Sequence, residues 1–165
     1  MRPEALPVDP RRPDDLDTAT LLSLAGAATD TLIRAAIRER GFEVTRAHGY
    51  VFQRLLAGEQ TIGELAADLG MTQQGASKHV AELERLGFVI RRVSSNDRRA
   101  RVVALTDAGR AVIDAARVAR RDFDDRLRSV LGSDDVAALR RALGGLLDDV
   151  GVSARIADRS IPWSE

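Results

Sequence analysis

Arginine is concentrated in one short stretch of the chain, RVSSNDRRARV, which begins at Arg92 and ends at Val102. Between Arg85 and Arg101 six arginines accompany a single acidic residue, Asp97, so that this segment has a net charge of +5. Because the whole sequence has a net charge of +0, the remainder sums to −5. A basic segment on an otherwise acidic protein favours binding to a polyanion such as nucleic acid, and a solvated arginine-rich turn is the alternative.

A second set of polar side chains occurs just before this stretch, in the segment TQQGASKHVAELERL. In a helix that turns about 100° per residue, Ala76, Val80 and Leu83 share one face. Glutamine can bond an adenine edge, and lysine and arginine suit guanine or phosphate, so we predict that the opposite face contacts DNA. Its predicted contact residues are Thr72, Gln73, Gln74, Ser77, Lys78 and Arg85. An ordinary polar surface helix is the alternative, and a packing role explains His79 better than a base contact.

The arginine stretch joins two β-prone runs, FVIRRV and RVVAL, which predicts a hairpin with a polar tip. Beside a docked helix such a hairpin reaches the minor groove, where arginine is the favoured inserted side chain. We predict that Arg99 enters this groove and that Arg98 and Arg101 contact phosphates. Asp97, two residues before Arg99, can bond its guanidinium group. A simple turn-forming role for Asp97 is the alternative.

Other kinds of chemistry find little support in the sequence. The chain has no cysteine, which excludes disulfides, thiolate metal sites and cysteine redox sensing. Its two histidines and scattered carboxylates show no metal-ligand spacing, and no nucleophile–base set or phosphate-binding loop occurs. We therefore expect no enzyme activity, no cofactor and no metal.

The length and the apolar pattern indicate one domain with an aliphatic core, because only 4% of the 165 residues are aromatic. No apolar run approaches membrane-spanning length, and the N-terminus lacks the apolar segment of a signal peptide. We therefore expect a cytoplasmic protein without a membrane partner.

Helical periodicity and capping residues predict the elements that position these side chains. Two helices are expected over residues 18–41 and 44–57. Thr61 and Glu64 have the spacing of a capping box, which starts a short third helix. Gly70 suits the tight turn before the DNA-contacting helix, which Thr72 caps and Gly87 ends.

Beyond the hairpin, Thr106 caps a helix that runs to about Leu131, and Ser133 is predicted to cap a last helix that runs to Val150. The first sixteen residues contain four of the five prolines and no helical periodicity, which predicts an extended and flexible arm. The last residues are irregular and include Trp163, for which folding back and disorder are equally favoured.

The sequence TIGELAADLGMTQQGASKHVAELERLGFVIRRVSSNDRRARVVALTDAGRAVI resembles the multiple-antibiotic-resistance regulator (MarR) family, and the likeness extends over residues 19–150. The resemblance rests on the helix-turn-helix, on the wing NDRRA and on the segment ALTDAG that follows the wing. It implies a mainly α fold with a small β-hairpin wing. The expected parts are an arm (1–16), a helical dimerisation region (17–60 and 106–151), a winged helix-turn-helix lobe (61–105) and a tail (152–165).

The resemblance also implies function. MarR-like proteins are homodimers that bind pseudo-palindromic operators and usually repress, so double-stranded DNA and a second copy of the chain are the expected partners. In the family's wing the arginine of a D-x-R pair, here Asp97 and Arg99, enters the minor groove. The expected dimer interface is Leu139, Leu143, Leu146 and Val150.

Many family members bind a small aromatic or phenolic molecule between the dimerisation helices and the winged helix-turn-helix lobe, and this molecule releases the DNA. The candidate pocket residues are Phe42, Arg46, His48, Tyr50 and Phe52. Core positions for the two phenylalanines and an interface position for Tyr50 are the alternative. A winged-helix module that binds protein instead of DNA is the alternative for the chain as a whole.

Overall fold

The computed structural model describes residues 12–94 and 99–152. The predicted arm and tail therefore lie largely outside the described residues, as does Trp163. Residues 13–15 form a short 3-10 helix at the end of the predicted arm.

Six α-helices and one antiparallel hairpin form in the described part of the chain, which confirms the predicted fold class and order of elements. The elements are α1 (Thr18–Glu39), α2 (Arg46–Leu55), α3 (Ile62–Leu69), α4 (Gln73–Arg85), β1 (Val89–Val93), β2 (Arg101–Leu105), α5 (Asp107–Leu131) and α6 (Ser133–Asp149).

Threonine caps set the start of four helices, because each hydroxyl accepts a hydrogen bond from a backbone N–H in the first turn. The caps are Thr45, Thr61, Thr72 and Thr106. The predicted capping box of α3 is present: the Glu64 carboxylate accepts from the Thr61 backbone N–H at 2.7 Å. Gly70 has φ 65° in the turn before α4, as predicted.

The start of α6 differs from the prediction. Gly132, with φ 86°, occupies the N-cap position, and no side chain caps the helix. Ser133 is the first helical residue instead of the cap. Glycine accepts the positive φ that the sharp turn from α5 into α6 requires, and a capping serine would have to be in the extended region there.

The main core lies where α2, α3, α4 and the hairpin pack on the first half of α5. Its most deeply buried side chains, each 1% exposed or less, are Val51, Leu65, Val80, Leu83, Val103 and Val112. Gln60 pairs with Val103 as an isolated β-bridge and so ties the α2–α3 loop to the hairpin. α2, α3, α4 and the hairpin are therefore all fixed on one side to α5.

A smaller core joins α1 to the second half of α5 through Ile33, Ile37 and Ala119. Most other apolar side chains of α1, and those of α6 apart from Val136, remain exposed in the single chain. The exposed leucines of α1 are Leu21, Leu22, Leu24 and Leu32.

Among the described helices, α1 alone is long and apolar enough to cross a membrane by length and composition. The sequence was expected to contain no apolar run of membrane-spanning length, and α1 is an exception to that expectation. The core helix of a soluble protein or a signal sequence meets the same test. α1 packs along α5, and its last turn is held there by an ion pair of 2.9 Å between Arg40 and Asp122.

Candidate nucleic-acid interface

α4 presents a polar face to solvent because its apolar face is buried in the core. Ala76, Val80 and Leu83 are at most 1% exposed. Thr72 fixes the start of the helix by accepting the Gly75 N–H at 3.1 Å. Of the predicted contact residues, Thr72, Gln73, Gln74, Lys78 and Arg85 are exposed, and Ser77 is half-buried. Such a face has the donors and acceptors that base edges and phosphates require.

Arg91 of β1 braces α4 on the side of the hairpin. Its Nη2 donates to the Ser77 carbonyl oxygen at 3.2 Å and lies 3.5 Å from the Ser77 hydroxyl. The Arg91 backbone N–H donates to the Glu84 carboxylate at 3.2 Å. Two points of attachment therefore hold the hairpin and α4 in a fixed relation, and Ser77 is in contact with Arg91.

Arg92, the next residue of β1, is held by an acidic side chain from the α2–α3 loop. Its Nε and Nη2 donate to the same Glu59 carboxylate oxygen at 3.0 and 2.6 Å. Glu59 has 20% side-chain exposure, so the pair is partly shielded from solvent. The sequence offered no signal for this contact, because Glu59 lies far from Arg92 along the chain.

The tip of the hairpin is only partly within the described residues. Asp97 and Arg98 lie outside them, so the predicted contact between Asp97 and Arg99 stays a prediction. Arg99 and Arg101 are both exposed, and Arg101 pairs with Val93 at the start of β2. Their side chains are accessible on the hairpin that Arg91 attaches to α4.

The opposite flank of α4 faces α2. His48 of α2 is 1% exposed, and its Nε2 lies 3.2 Å from the Glu82 carboxylate of α4. His79 is half-buried beside them, with its ring centroid 6.5 Å from that of His48. Burial and the nearby His48 and Lys78 lower the pKa of His79, and Glu82 opposes this shift. His79 is therefore neutral at neutral pH and occupies a packed position.

A cavity of about 500 Å³ lies between α1, α2 and α5. Three of the predicted pocket residues, Arg46, Tyr50 and Phe52, line it. The other two do not: Phe42 packs edge-on against Phe88, and His48 faces α4. The cavity has an apolar floor that includes Ile33, Ile37, Val112, Ile113 and Ala116, and charged residues that the sequence did not suggest: Asp30, Arg34, Arg117 and Arg120.

The predicted interface residues form an apolar row on α6. Leu139, Leu143, Leu146 and Val150 are between 36% and 58% exposed. These side chains and the exposed leucines of α1 are apolar surface that the single chain does not cover. Exposed apolar area of this kind marks an association surface.

Residues 42–100 match the model of the MarR family. A search of curated proteins found no match. Solved structures share the fold. A Staphylococcus aureus MepR variant bound to an oligodeoxyribonucleotide aligns with TM-score 0.60 and 19% identity over 82% of this chain and 99% of that one.

Two further structures show the same architecture. Transcriptional regulator Tm0710 of Thermotoga maritima aligns with TM-score 0.60 and 25% identity over 79% of this chain and 94% of that one. Staphylococcus aureus MepR bound to ethidium aligns with TM-score 0.59 and 19% identity over 83% of this chain and 99% of that one.

Proposed function

We propose that this chain, whose residues 42–100 match the model of the MarR family, is a homodimeric, sequence-specific transcriptional repressor that binds double-stranded DNA. The observation that best supports the proposal is the polar face of α4 together with the hairpin that Arg91 attaches to it. The matched segment, residues 42–100, includes α4 and β1 and ends just before β2. MarR-family regulators are soluble, and a cytoplasmic location follows from a role on DNA.

In the proposed complex, α4 enters the major groove and the hairpin lies over the adjoining minor groove. Gln73, Gln74 and Lys78 near the start of α4 contact base edges, because residues at the start of a recognition helix lie deepest in the groove. Arg99 enters the minor groove, and Arg101 contacts a phosphate. The MepR variant in the comparison was solved with an oligodeoxyribonucleotide, which supports this use of the fold.

Dimerisation through α1 and α6 is the second part of the proposal. Burial of apolar surface is worth about 25 cal/mol per Å², so the exposed leucines of α1 and α6 would stabilise a dimer once covered. A two-fold dimer presents two α4 helices to a pseudo-palindromic site. The half-sites must then lie about 34 Å apart, one turn of DNA.

Release of the DNA by a small molecule is the third part. The cavity has a mainly apolar lining and four arginines, Arg34 from α1, Arg46 from α2, and Arg117 and Arg120 from α5. This combination suits an aromatic or phenolic compound with an acidic group. The cavity is bounded by α1 and α5 and by α2, which also packs on α3 and α4 of the winged helix-turn-helix lobe. A bound molecule can therefore alter the angle between this lobe and the dimerisation helices.

Salt dependence separates DNA binding from the alternative, a protein-binding module. We expect fluorescence anisotropy with a mixed-sequence duplex to show binding that weakens steeply with salt. Each neutralised phosphate contributes a slope of about −0.9 in a log–log plot. Absence of salt-sensitive duplex binding at low ionic strength contradicts the proposal and favours the protein-binding module.

The wing is tested with Arg99→Ala. We expect weaker binding to a selected operator and a salt slope reduced by about 1, while the dimer persists. Arg128→Ala is the matched control, since Arg128 is exposed on α5 and pairs with Asp125 at 2.7 Å, away from the hairpin. Equal operator affinity of Arg99→Ala and Arg128→Ala would show that Arg99 does not enter the minor groove.

A further inference from the structure

Two histidines and a carboxylate converge between α2 and α4. His48 comes from α2, and His79 and Glu82 come from one turn of α4. One ligand-type atom of each residue lies within 4.8 Å of the corresponding atoms of the other two. This cluster is not apparent from the sequence, because His48 and His79 are far apart in the chain and meet only through packing of α2 on α4.

The buried ring of His48 is the second observation. It is 1% exposed, yet its Nε2 makes no hydrogen bond within the described part of the chain, although Glu82 Oε2 lies 3.2 Å away. A buried polar atom without a hydrogen bond requires an explanation. Ligand-type atoms of His79 and Glu82 lie within 4.8 Å of the His48 ring, so an ion placed among the three side chains would satisfy this nitrogen.

We propose that His48, His79 and Glu82 form a binding site for a divalent transition-metal ion, with zinc the best fit. Two imidazoles and one carboxylate are a donor set that zinc binds, whereas calcium and magnesium require oxygen ligands. With bonds of about 2.0–2.1 Å, the ligands of a tetrahedral zinc ion lie roughly 3.3 Å apart. The half-exposed side chains of His79 and Glu82 can make the small adjustment that this spacing needs.

Binding of an ion at His48 Nε2 would displace the proton on that nitrogen and affect the hydrogen bond at Nδ1. Its Nδ1 accepts the Thr45 backbone N–H at 3.3 Å, so the metal-free ring has its proton on Nε2. An ion at Nε2 replaces this proton, which moves to Nδ1. The long bond to Thr45 is then lost. Metal binding therefore exchanges one weak capping bond at the start of α2 for a metal–nitrogen bond, without net release of a proton from His48.

Exposure of the cluster indicates an exchangeable ion. The side chain of Glu82 is 44% exposed, so water can complete the coordination and the ion can enter from solution. Such an ion would link α4 to α2 on the flank opposite the Arg91 brace.

The experiment titrates zinc into the metal-free, untagged full-length chain and follows binding by calorimetry, with cobalt as a spectroscopic substitute. We expect one ion per chain, a visible cobalt spectrum typical of four-coordination, and a higher Tm with zinc. His48 and His79 are the only histidines of the sequence, so both ring signals should shift in nitrogen-15 spectra.

Variants at the half-exposed positions identify the ligands without disturbing the core. His79→Gln and Glu82→Gln should each weaken zinc binding at least about ten-fold and abolish the rise in Tm. Glu84→Gln is the matched control, because Glu84 is a carboxylate of the same helix that faces Arg91 instead of α2. The site is refuted if the wild-type chain does not bind zinc, or if His79→Gln and Glu82→Gln bind it as tightly as Glu84→Gln.

Discussion

Gly109, the third residue of α5, packs against the backbone at the start of the hairpin, and its replacement by alanine should destabilise the protein. A β-carbon at this position would overlap the carbonyl oxygen of Phe88. It would also lie 3.1 Å from the Phe88 carbonyl carbon and 3.2 Å from Leu105 Cδ2. Because two of these three atoms belong to the backbone, a side-chain rotation cannot relieve the clash.

The expected magnitude follows from three contributions. Overpacking of this kind costs about 1–3 kcal/mol. Displacement of Phe88 also weakens the hydrogen bond of 3.1 Å that its carbonyl accepts from the Thr106 N–H, at a cost of about 1 kcal/mol. The gain in helix propensity from glycine to alanine is at most about 1 kcal/mol. The net loss is about 2 kcal/mol, which lowers Tm by roughly 4–8 °C in a chain of this size.

Urea and thermal unfolding, followed by circular dichroism at one protein concentration, measure this loss. Gly63→Ala is the control, because Gly63 also lies in the first turn of a threonine-capped helix. A β-carbon there would meet nothing nearer than Gln73 Nε2 at 3.5 Å. We expect this variant to be as stable as the wild type or slightly more stable. If Gly109→Ala unfolds at the same urea concentration and temperature as Gly63→Ala, then α5 does not pack against the hairpin as closely as described.

Two further predictions address the brace and the dimer. Arg91→Gln removes the bonds to Ser77 and should lower the free energy of unfolding by about 1 kcal/mol and weaken DNA binding. Urea unfolding that matches the wild type would exclude the brace. Leu143→Glu places a charge in the apolar row of α6 and should give monomers by size exclusion with light scattering, whereas Ala137→Glu, on the opposite face of α6, should leave the dimer intact. A dimeric Leu143→Glu variant would remove α6 from the interface.

Local signals made the fold predictable from the sequence. The threonine caps, Gly70 and the apolar periodicity each act within a few residues, so they define helix bounds without tertiary information. The start of α6 was predicted wrongly because Ser133 has the right type for a cap and the positive φ of Gly132 depends on the turn out of α5. That turn is set by how α6 packs.

The candidate site was less predictable because its charges are paired over long distances. Arg91 and Arg92 contributed to the local charge of +5, yet Arg91 is bonded to α4 and Arg92 to Glu59. A charge count along the chain therefore overstates what the hairpin offers to DNA. The cavity shows the same effect, since Arg117 and Arg120 reach it from α5, which is remote from α2 in sequence.

α2 links the features that could regulate this protein. Its residues Arg46 and Tyr50 line the cavity, and His48, on the same helix, meets α4 at Glu82. A ligand that displaces α2 would therefore change the contact between His48 and Glu82, because His48 lies on the same helix as Arg46 and Tyr50. On the other flank Arg91 keeps α4 and the hairpin together, so such a displacement would shift the whole proposed DNA-binding surface instead of one helix. By thermodynamic linkage, an ion that fixes His48 to α4 and a ligand that moves α2 must change each other's affinity by the same factor.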